Sequence, residues 1–493
     1  MNENMNTAVN EIMQQSKKAF ESYKNKNAAE RAAFLLCIAD CIEEKREALV
    51  QTANEETNLP AVRLNGEITR TTGQLKMFAN LIAESSWIEA AIDTADPNRT
   101  PPKPDTRKML LPVGPVVVFG ASNFPFAFST AGGDTASALA SGSTVVIKGH
   151  SAHAKTSSLV FEAIQKAIGK TNMPAHTVQH ILGAGNSVGK ELVVHPFTTA
   201  VGFTGSLHGG KALVSYTQQR EIPIPVFAEM SSINPVVFLP DTLLNNSVML
   251  AQMFANSITL GAGQFCTNPG LMIALESEAL NDFLQSLGDA VSAIAPQKML
   301  HTGISESYNS GLKKMLAEKG ITIIAHANQQ PQQLGAQATI AKVAAETFLQ
   351  NPHLHEEVFG PYSLMVVCRD KNEMIAVLNS IKGQLTATVM GTDEDFKNHT
   401  DIIEIQTSLA GRVILNNAPT GVEVCASMVH GGPYPATTDA RFTSVGTSAI
   451  KRWVRPVCFQ NFTNLLLPDE LKNNNPLNIW RLVNNQFTKD TIS

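Results

Sequence analysis

Short apolar runs recur between residues 114 and 230, each ending in small or polar residues, with helix-patterned stretches between them. GPVVVFGAS (114–122), STVVIKGH (143–150), TVQHILGAG (177–185) and TTAVGFTGS (198–206) have the near-continuous apolar character of strands buried on both faces. Helical spacing fills Gly132–Ala140, Ala154–Ile168 and Ser187–Val194. Strand alternating with helix predicts an α/β fold with a parallel sheet covered on both faces. Such a sheet binds ligands beyond the carboxyl ends of its strands. Those ends are Gly120-Ala121-Ser122, Lys148-Gly149-His150, Gly183-Ala184-Gly185 and Gly205-Ser206.

IPIPVFAEM (222–230) reads as a fifth strand, and a second α/β pattern opens at NPVVFLP (234–240) and runs to about residue 445. A chain of 493 residues exceeds what one hydrophobic core sustains, so a domain boundary is expected between these patterns. Residues 7–58 carry helical periodicity, Pro60 punctuates, and a further helix is predicted from Ala61 to Glu84. The proline-rich stretch Asp93 to Arg107 reads as an arm or exposed ribbon. VRPVCFQNF (454–462) reads as a late strand, and the residues after Asp469 are polar and Asn-rich.

Charged residues make up 16% and hydrophobic residues 43%, which excludes a disordered chain. The net charge of −5, with no basic stripe, argues against a nucleic-acid partner. The N-terminus lacks an apolar signal core, and the longest apolar stretch, Met109 to Ala121, is interrupted by Pro112, Gly114 and Pro115, so neither secretion nor a membrane span is expected. The cysteines at 37, 41, 266, 368, 425 and 458 are too scattered for a disulfide framework, and no His or Cys cluster accompanies Cys37 and Cys41. Reducing cytoplasm and no metal site are expected, with Cys37 and Cys41 as a buried pair on one helix face.

Three features carry chemistry. GSLHGG (205–210) follows a strand and opens a helix, a place where backbone N–H groups and the helix dipole favour phosphate, although it lacks the G-x-G-x-x-G spacing. Cys266 lies in the glycine-flanked loop LGAGQFCTNPG, where a thiolate can attack carbonyls; a small buried hydrophobe is the other reading. Glu229 closes the strand IPIPVFAE, as a general base with a raised pKa or as a paired or capping carboxylate.

GASNFPF (120–126), the Lys148 turn, FTGS (203–206), Glu229, GQFC (263–266) and EEVFGP (356–361) occur in the order and approximate spacing of the aldehyde dehydrogenase superfamily, which the chain resembles over nearly its whole length. ETNLPAVRLNGEITRTTGQLKMFA, FGASNFPFAFSTAGGDTASALASG, AEMSSINPVVF and VHGGPYPATTD are similar to the 2-oxoglutarate semialdehyde (2,5-dioxopentanoate) dehydrogenases, a group near the NADP-dependent fatty aldehyde dehydrogenases. Two departures from the wider superfamily, EMSSINP (229–235) and HGGPYP (430–435), are features of that group. A third is that the first helix starts almost at residue 1, without the usual preceding strand segment, which bears on the subunit contact.

The resemblance implies a Rossmann-like nucleotide-binding domain (1–90 and 108–231), an α/β catalytic domain (232–445), and a small oligomerisation element from the arm 91–107 and the tail 446–493. It implies oxidation of an aldehyde through a Cys266 thiohemiacetal and thioester, with Asn123 stabilising the oxyanion and Glu229 activating water. Lys148, Ser151, Gly205, Ser206, Gly210, Glu357 and Phe359 would bind the cofactor, and Arg70, Phe124 and Gln264 the substrate. NAD-preferring members carry Glu three residues after the lysine; Ser151 stands there, removing repulsion from a 2′-phosphate and favouring NADP, with NAD possible. His430 would stabilise the thiolate or pack in the substrate mouth. Arg70 shares a helix face with Gln74 and Met77, and would clamp the far carboxylate of 2-oxoglutarate semialdehyde or sit on the surface paired with Glu67. A homodimer or homotetramer is expected. The competing readings are a medium- or long-chain aldehyde dehydrogenase, a silent NADP-binding protein on this fold, and a cysteine hydrolase using Cys266 and His430.

Overall fold

The computed structural model describes residues 2–492, with side-chain surroundings from residue 7 onward. Helices occupy the N-terminal segment: Asn2–Tyr23, Ala28–Glu44, Arg46–Thr57 and Ala61–Glu84. Asn27 starts the second of these by a capping box with Glu30, and Pro60 stands at the N-cap of the last. Cys41 is buried and Cys37 partly buried in the core beneath these helices, and all six cysteines are free. No helix among the described residues is long and apolar enough to cross a membrane.

The five runs read as strands form one parallel sheet in the order Val178–Ile181, Val145–Lys148, Val116–Phe119, Ala200–Thr204 and Val226–Glu229. Phe119 pairs with Lys148 and Phe203, and Thr204 pairs with Glu229, so Lys148 and Glu229 come out at the same edge. Val116, Val117 and Val118 are at most 1% exposed, and burying each such side chain contributes about 1.5–3 kcal/mol.

A seven-stranded sheet follows in the order Thr322–His326, Thr339–Ala344, Tyr362–Cys368, Leu271–Leu275, Val236–Phe238, Gln384–Met390 and Ala410–Leu415. All its pairings are parallel except the first. The expectation that chemistry sits at carboxyl ends applies to the first sheet alone. In the second sheet, the loops with Asn234, Cys266 and Glu357 lead into the amino ends of their strands.

The third sheet joins Val454–Gln460, Thr106–Pro112, Ala91–Asp93, Arg481–Val483 and Gln486–Thr488. Its strand Thr106–Pro112 runs across the expected 107/108 division, because pairing with Val454–Gln460 begins at Thr106 opposite Gln460. The Asn-rich tail, for which no strand was expected beyond Asp469, supplies two of these strands.

Candidate active site

Cys266 sits on a loop whose shape depends on two features distant in sequence. Gly263 has φ of +65°, and a Cβ there would lie 2.3 Å from the carbonyl carbon of Gly360, so only glycine allows this approach. Asn234 donates through Nδ2 to the carbonyls of Cys266 at 2.9 Å and Asn268 at 2.8 Å, and its Oδ1 accepts from Ser232 and Thr386. Gln384 Oε1 in turn accepts from the Ile233 and Asn234 amides. Sequence reasoning missed Asn234 and Gln384; the SSIN wording of residues 231–234 was the available signal.

The loop brings the sulfur to a buried carboxylate and an imidazole. His430 Nε2 lies 3.3 Å from Cys266 Sγ and 3.0 Å from Glu229 Oε1. The Glu229 contact is a close approach rather than an aligned hydrogen bond, since Oε1 has no well-directed donor. Oε2 accepts from Ser444 Oγ at 2.6 Å, and Ser444 N–H also donates to the His430 carbonyl at 2.9 Å. Ser444 gave no signal in the sequence. His430 reaches the site because the following glycines thread a narrow gap: a Cβ on Gly432, φ +154°, would lie 2.0 Å from the Gln384 carbonyl oxygen.

Burial pushes the Cys266 thiol well above its ordinary range, and the Glu229 charge adds to this. For Glu229, burial raises the pKa, but the contacts of His430, Ser444 and Cys266 outweigh it and hold the carboxyl below its usual value. This reverses the raised pKa expected for a base at a strand end. Its ligand atoms and those of Cys266 and His430 lie within 4.8 Å of one another, a span that also suits a cation. His430 Nδ1, however, is buried without a partner, whereas metal-bound histidines are normally oriented by an acceptor at the second nitrogen.

Asn123 is buried beside this group and donates through Nδ2 to the Gln264 carbonyl at 3.2 Å, leaving its second N–H. Gln264, expected at the substrate, is fully buried. Its Oε1 accepts from Leu300 N–H at 3.0 Å and its Nε2 donates to Gly261 O at 2.9 Å, so the side chain braces the cysteine loop instead. Phe124 stands in an aromatic cluster with Phe128 at 5.3 Å and Phe265 at 5.6 Å between ring centroids; Phe128 and Phe265 were not singled out from sequence.

Arg70 is not a surface residue paired with Glu67. Its guanidinium lies 5.1 Å from the Phe128 ring and 5.9 Å from Phe124, and Nε and Nη2 are buried without partners. Burial lowers its pKa, while Cys266, Glu67 and Glu229 oppose that shift through their charges. Glu67 faces elsewhere, its Oε1 accepting from the Phe126 and Ala127 amides.

A cleft of about 840 Å³ runs from Leu207 and His208, at the start of the helix Leu207–Thr217, past Ser231 and Ser232 to Glu357 and Lys382. Ser206 caps this helix, accepting from Gly209 N–H at 3.1 Å, and its hydroxyl proton can still be donated. Gly205 and Gly210 turn out not to offer free amides: Gly205 N–H donates to Glu229 O, and Gly210 N–H to Ser206 O, each at 3.0 Å. A Cβ on Gly210 would collide with Met230, so this glycine serves close helix-to-strand packing. Glu357 has Ser231 and the Ser232 amide beside it, and burial pushes its carboxyl up to about 7. Phe359 lines a small pocket with Glu357, Phe265 and Asn268. Lys148 ends its strand, 7% exposed, with its pKa lowered by burial and no carboxylate paired to it among the described residues. Ser151 is exposed at the first position of the turn Ser151–His153, and neither it nor Lys148 lines the 840 Å³ cleft.

The Cys266 thiol, the buried Glu229 carboxylate and His430 thus lie together, with the Asn123 amide bonded to the cysteine loop, and the chain belongs to the aldehyde dehydrogenase family, whose model matches residues 1–436. It is similar to alpha-ketoglutaric semialdehyde dehydrogenase 2 of Azospirillum brasilense, 47% identical over 94% of this chain and 89% of the relative. The alpha-ketoglutaric semialdehyde dehydrogenase of Acinetobacter baylyi is 46% identical over 98% of this chain and 92% of its own length. A betaine aldehyde dehydrogenase structure from Staphylococcus aureus matches 94% of this chain and 89% of its own with a TM-score of 0.79; at 21% identity it shows the shared fold.

Proposed function

We propose that this chain oxidises 2-oxoglutarate semialdehyde to 2-oxoglutarate with NAD(P), NADP being preferred, and that Arg70 holds the substrate's far carboxylate. One observation carries the substrate reading: a largely desolvated guanidinium without a protein partner, coupled through its charge to Cys266. A carboxylate is the natural complement of such a fork. The similarity to the two alpha-ketoglutaric semialdehyde dehydrogenases supports the same assignment.

In this reading Cys266 Sγ adds to the aldehyde carbon while its proton passes to His430 Nε2, 3.3 Å away, and from there to solvent, so that Glu229 stays ionised for the second half of the reaction. The resulting oxyanion faces the Asn123 amide and the Cys266 N–H; one such donor is worth about 3 kcal/mol in the transition state. NAD(P) held at this site would supply the hydride acceptor, and Cys266 would then carry the thioester. Glu229 then takes a proton from the water attacking the thioester, and returns one to the departing sulfur as the acid is released.

The residues present fit the cofactor. Glu357 is a part-buried carboxyl suited to accept from ribose hydroxyls, and Lys148 is a buried cation, neither of them in an ion pair among the described residues. Ser206 would meet a pyrophosphate at its helix start, and Phe359 would pack the nicotinamide side. Lys148 and Ser151 would hold the 2′-phosphate end. Ser151→Glu is therefore expected to shift preference toward NAD, since the new carboxylate accepts from a ribose hydroxyl but repels a phosphate. The measurement is the ratio of kcat/KM for the two cofactors, and an unmoved ratio removes Ser151 from that site.

Arg70→Met tests the substrate. A charge-assisted bond in a partly desolvated site is worth about 1.5–3 kcal/mol, or about 10- to 150-fold in kcat/KM for 2-oxoglutarate semialdehyde. An uncharged aldehyde of similar length should keep its efficiency or gain. Equal losses on both substrates would remove Arg70 from the substrate site and favour a fatty aldehyde, for which the Phe124–Phe128–Phe265 cluster already offers an apolar wall.

The domain division we assign is nucleotide binding in 1–90 and 113–231, catalysis in 232–445, and assembly through the third sheet, which takes in Thr106–Pro112. The exposed Leu465, Leu466, Trp480 and Phe487 near that sheet support a homodimer or homotetramer. The free cysteines suit the cytoplasm.

A further inference from the structure

Arg63 precedes Arg70 by two turns on the helix Ala61–Glu84 and makes a different contact. Its Nη2 donates to the main-chain carbonyl of Asn123 at 2.8 Å. Its guanidinium lies 5.0 Å from the Phe124 ring and 4.7 Å from the Phe265 ring, the neighbours in sequence of Asn123 and Cys266. One turn further along, Glu67 Oε1 accepts from Phe126 N–H at 2.8 Å and Ala127 N–H at 2.9 Å. The segment carrying Asn123 is thus tied to one helix at two points, and Asn123 reaches the cysteine loop through its bond to the Gln264 carbonyl.

We infer that Arg63 is a positioning residue for the oxyanion-binding amide of Asn123, and that the helix carrying Arg70 thereby sets the distance between the substrate's charged end and the reacting carbon. The inference rests on the reading of Asn123 as an oxyanion donor. A donor stabilises developing charge only at the correct place, and a displacement of about 1 Å costs about 100-fold. A planar guanidinium suits the task because it bonds a carbonyl while its faces pack on aromatic rings. Arg63 and Arg70 then divide the work: Arg70 senses the substrate's charge, whereas Arg63 acts on every aldehyde alike.

The experiment is rapid-mixing kinetics on the full-length enzyme with 2-oxoglutarate semialdehyde and with an uncharged aldehyde of the same length. Arg63→Met should slow the burst of reduced cofactor about 10- to 100-fold on both substrates, with KM and cofactor affinity nearly unchanged. Arg63→Lys keeps a cationic donor and should recover most of the loss. Should Arg63→Met fail to fold, Arg63→Gln carries the same comparison. The double variant Arg63→Met/Asn123→Ala should be no slower than Asn123→Ala alone, because Arg63 works through that amide. Fully additive losses, or a loss confined to the charged aldehyde, would overturn the inference. An unimpaired Asn123→Ala would instead refute the oxyanion reading itself, while an impaired Asn123→Ala beside an unimpaired Arg63→Met refutes only the role of Arg63.

Discussion

Cys266→Ala is expected to abolish aldehyde oxidation, lowering kcat by about 10⁴-fold or more, because it removes the atom to which the aldehyde carbon bonds. The sulfur's hydrogen-bond partner is His430 Nε2 at 3.3 Å. The loop itself should survive, since Asn234 holds the main-chain carbonyl at position 266 rather than the side chain. Cofactor affinity, measured by fluorescence titration, should therefore stay within about twofold of the parent enzyme. Persistent turnover in a clean Cys266→Ala preparation would refute the covalent mechanism. The burst rate of the parent enzyme should also rise with pH through the neutral and alkaline range, because burial and Glu229 keep the thiol protonated above its ordinary pKa.

Glu229→Gln is expected to separate the two halves of the reaction. Loss of a general base costs about 10²- to 10⁴-fold in the step it serves, and here that step is thioester hydrolysis. The amide is nearly isosteric and can still accept from Ser444 through its oxygen, so the site should keep its shape. Removing the negative charge also removes one of the influences that raise the Cys266 pKa, so sulfur attack should not be slowed by a less acidic thiol. Rapid mixing should show a burst of reduced cofactor close to one equivalent, followed by a steady state slower by about 10²- to 10⁴-fold. Loss of the burst itself would mean that Glu229 serves as base for the thiol, a role its proximity to both His430 and Cys266 also permits. The depressed pKa of Glu229 carries a sign: the carboxylate persists to lower pH than a free glutamate, so the acid limb of deacylation should lie below the ordinary carboxyl range.

Much of this protein could be read without coordinates. The apolar runs at 116–119, 145–148, 178–181, 200–204 and 226–229 are strands, and Ala61–Glu84 is a helix with the boundaries Pro60 and the periodicity predicted. These are short-range properties: β-branched residues buried on both faces, and an N-terminal proline before a 3.6-residue repeat. The resemblance carried by the order of motifs marked Cys266, Glu229 and Asn123, whereas the glycine-rich loop and the strand end by themselves left two readings each for Cys266 and Glu229.

What the tertiary structure decided is which groups meet. Glu229 and Ser444 are separated by 215 residues, and Cys266 and His430 by 164. No local pattern brings such pairs together. Gln264 and Gly210 had the right sequence positions for a ligand, yet their polar groups are satisfied inside the protein, and the Met230 side chain fills the space beside Gly210. Arg70 had two readings of equal local merit, surface partner of Glu67 or buried cation. The backbone amides of Phe126 and Ala127 took the Glu67 carboxylate and left the guanidinium without a partner. Propensity and periodicity are set by neighbours along the chain, whereas a buried polar group takes whichever partner the packing of distant segments supplies.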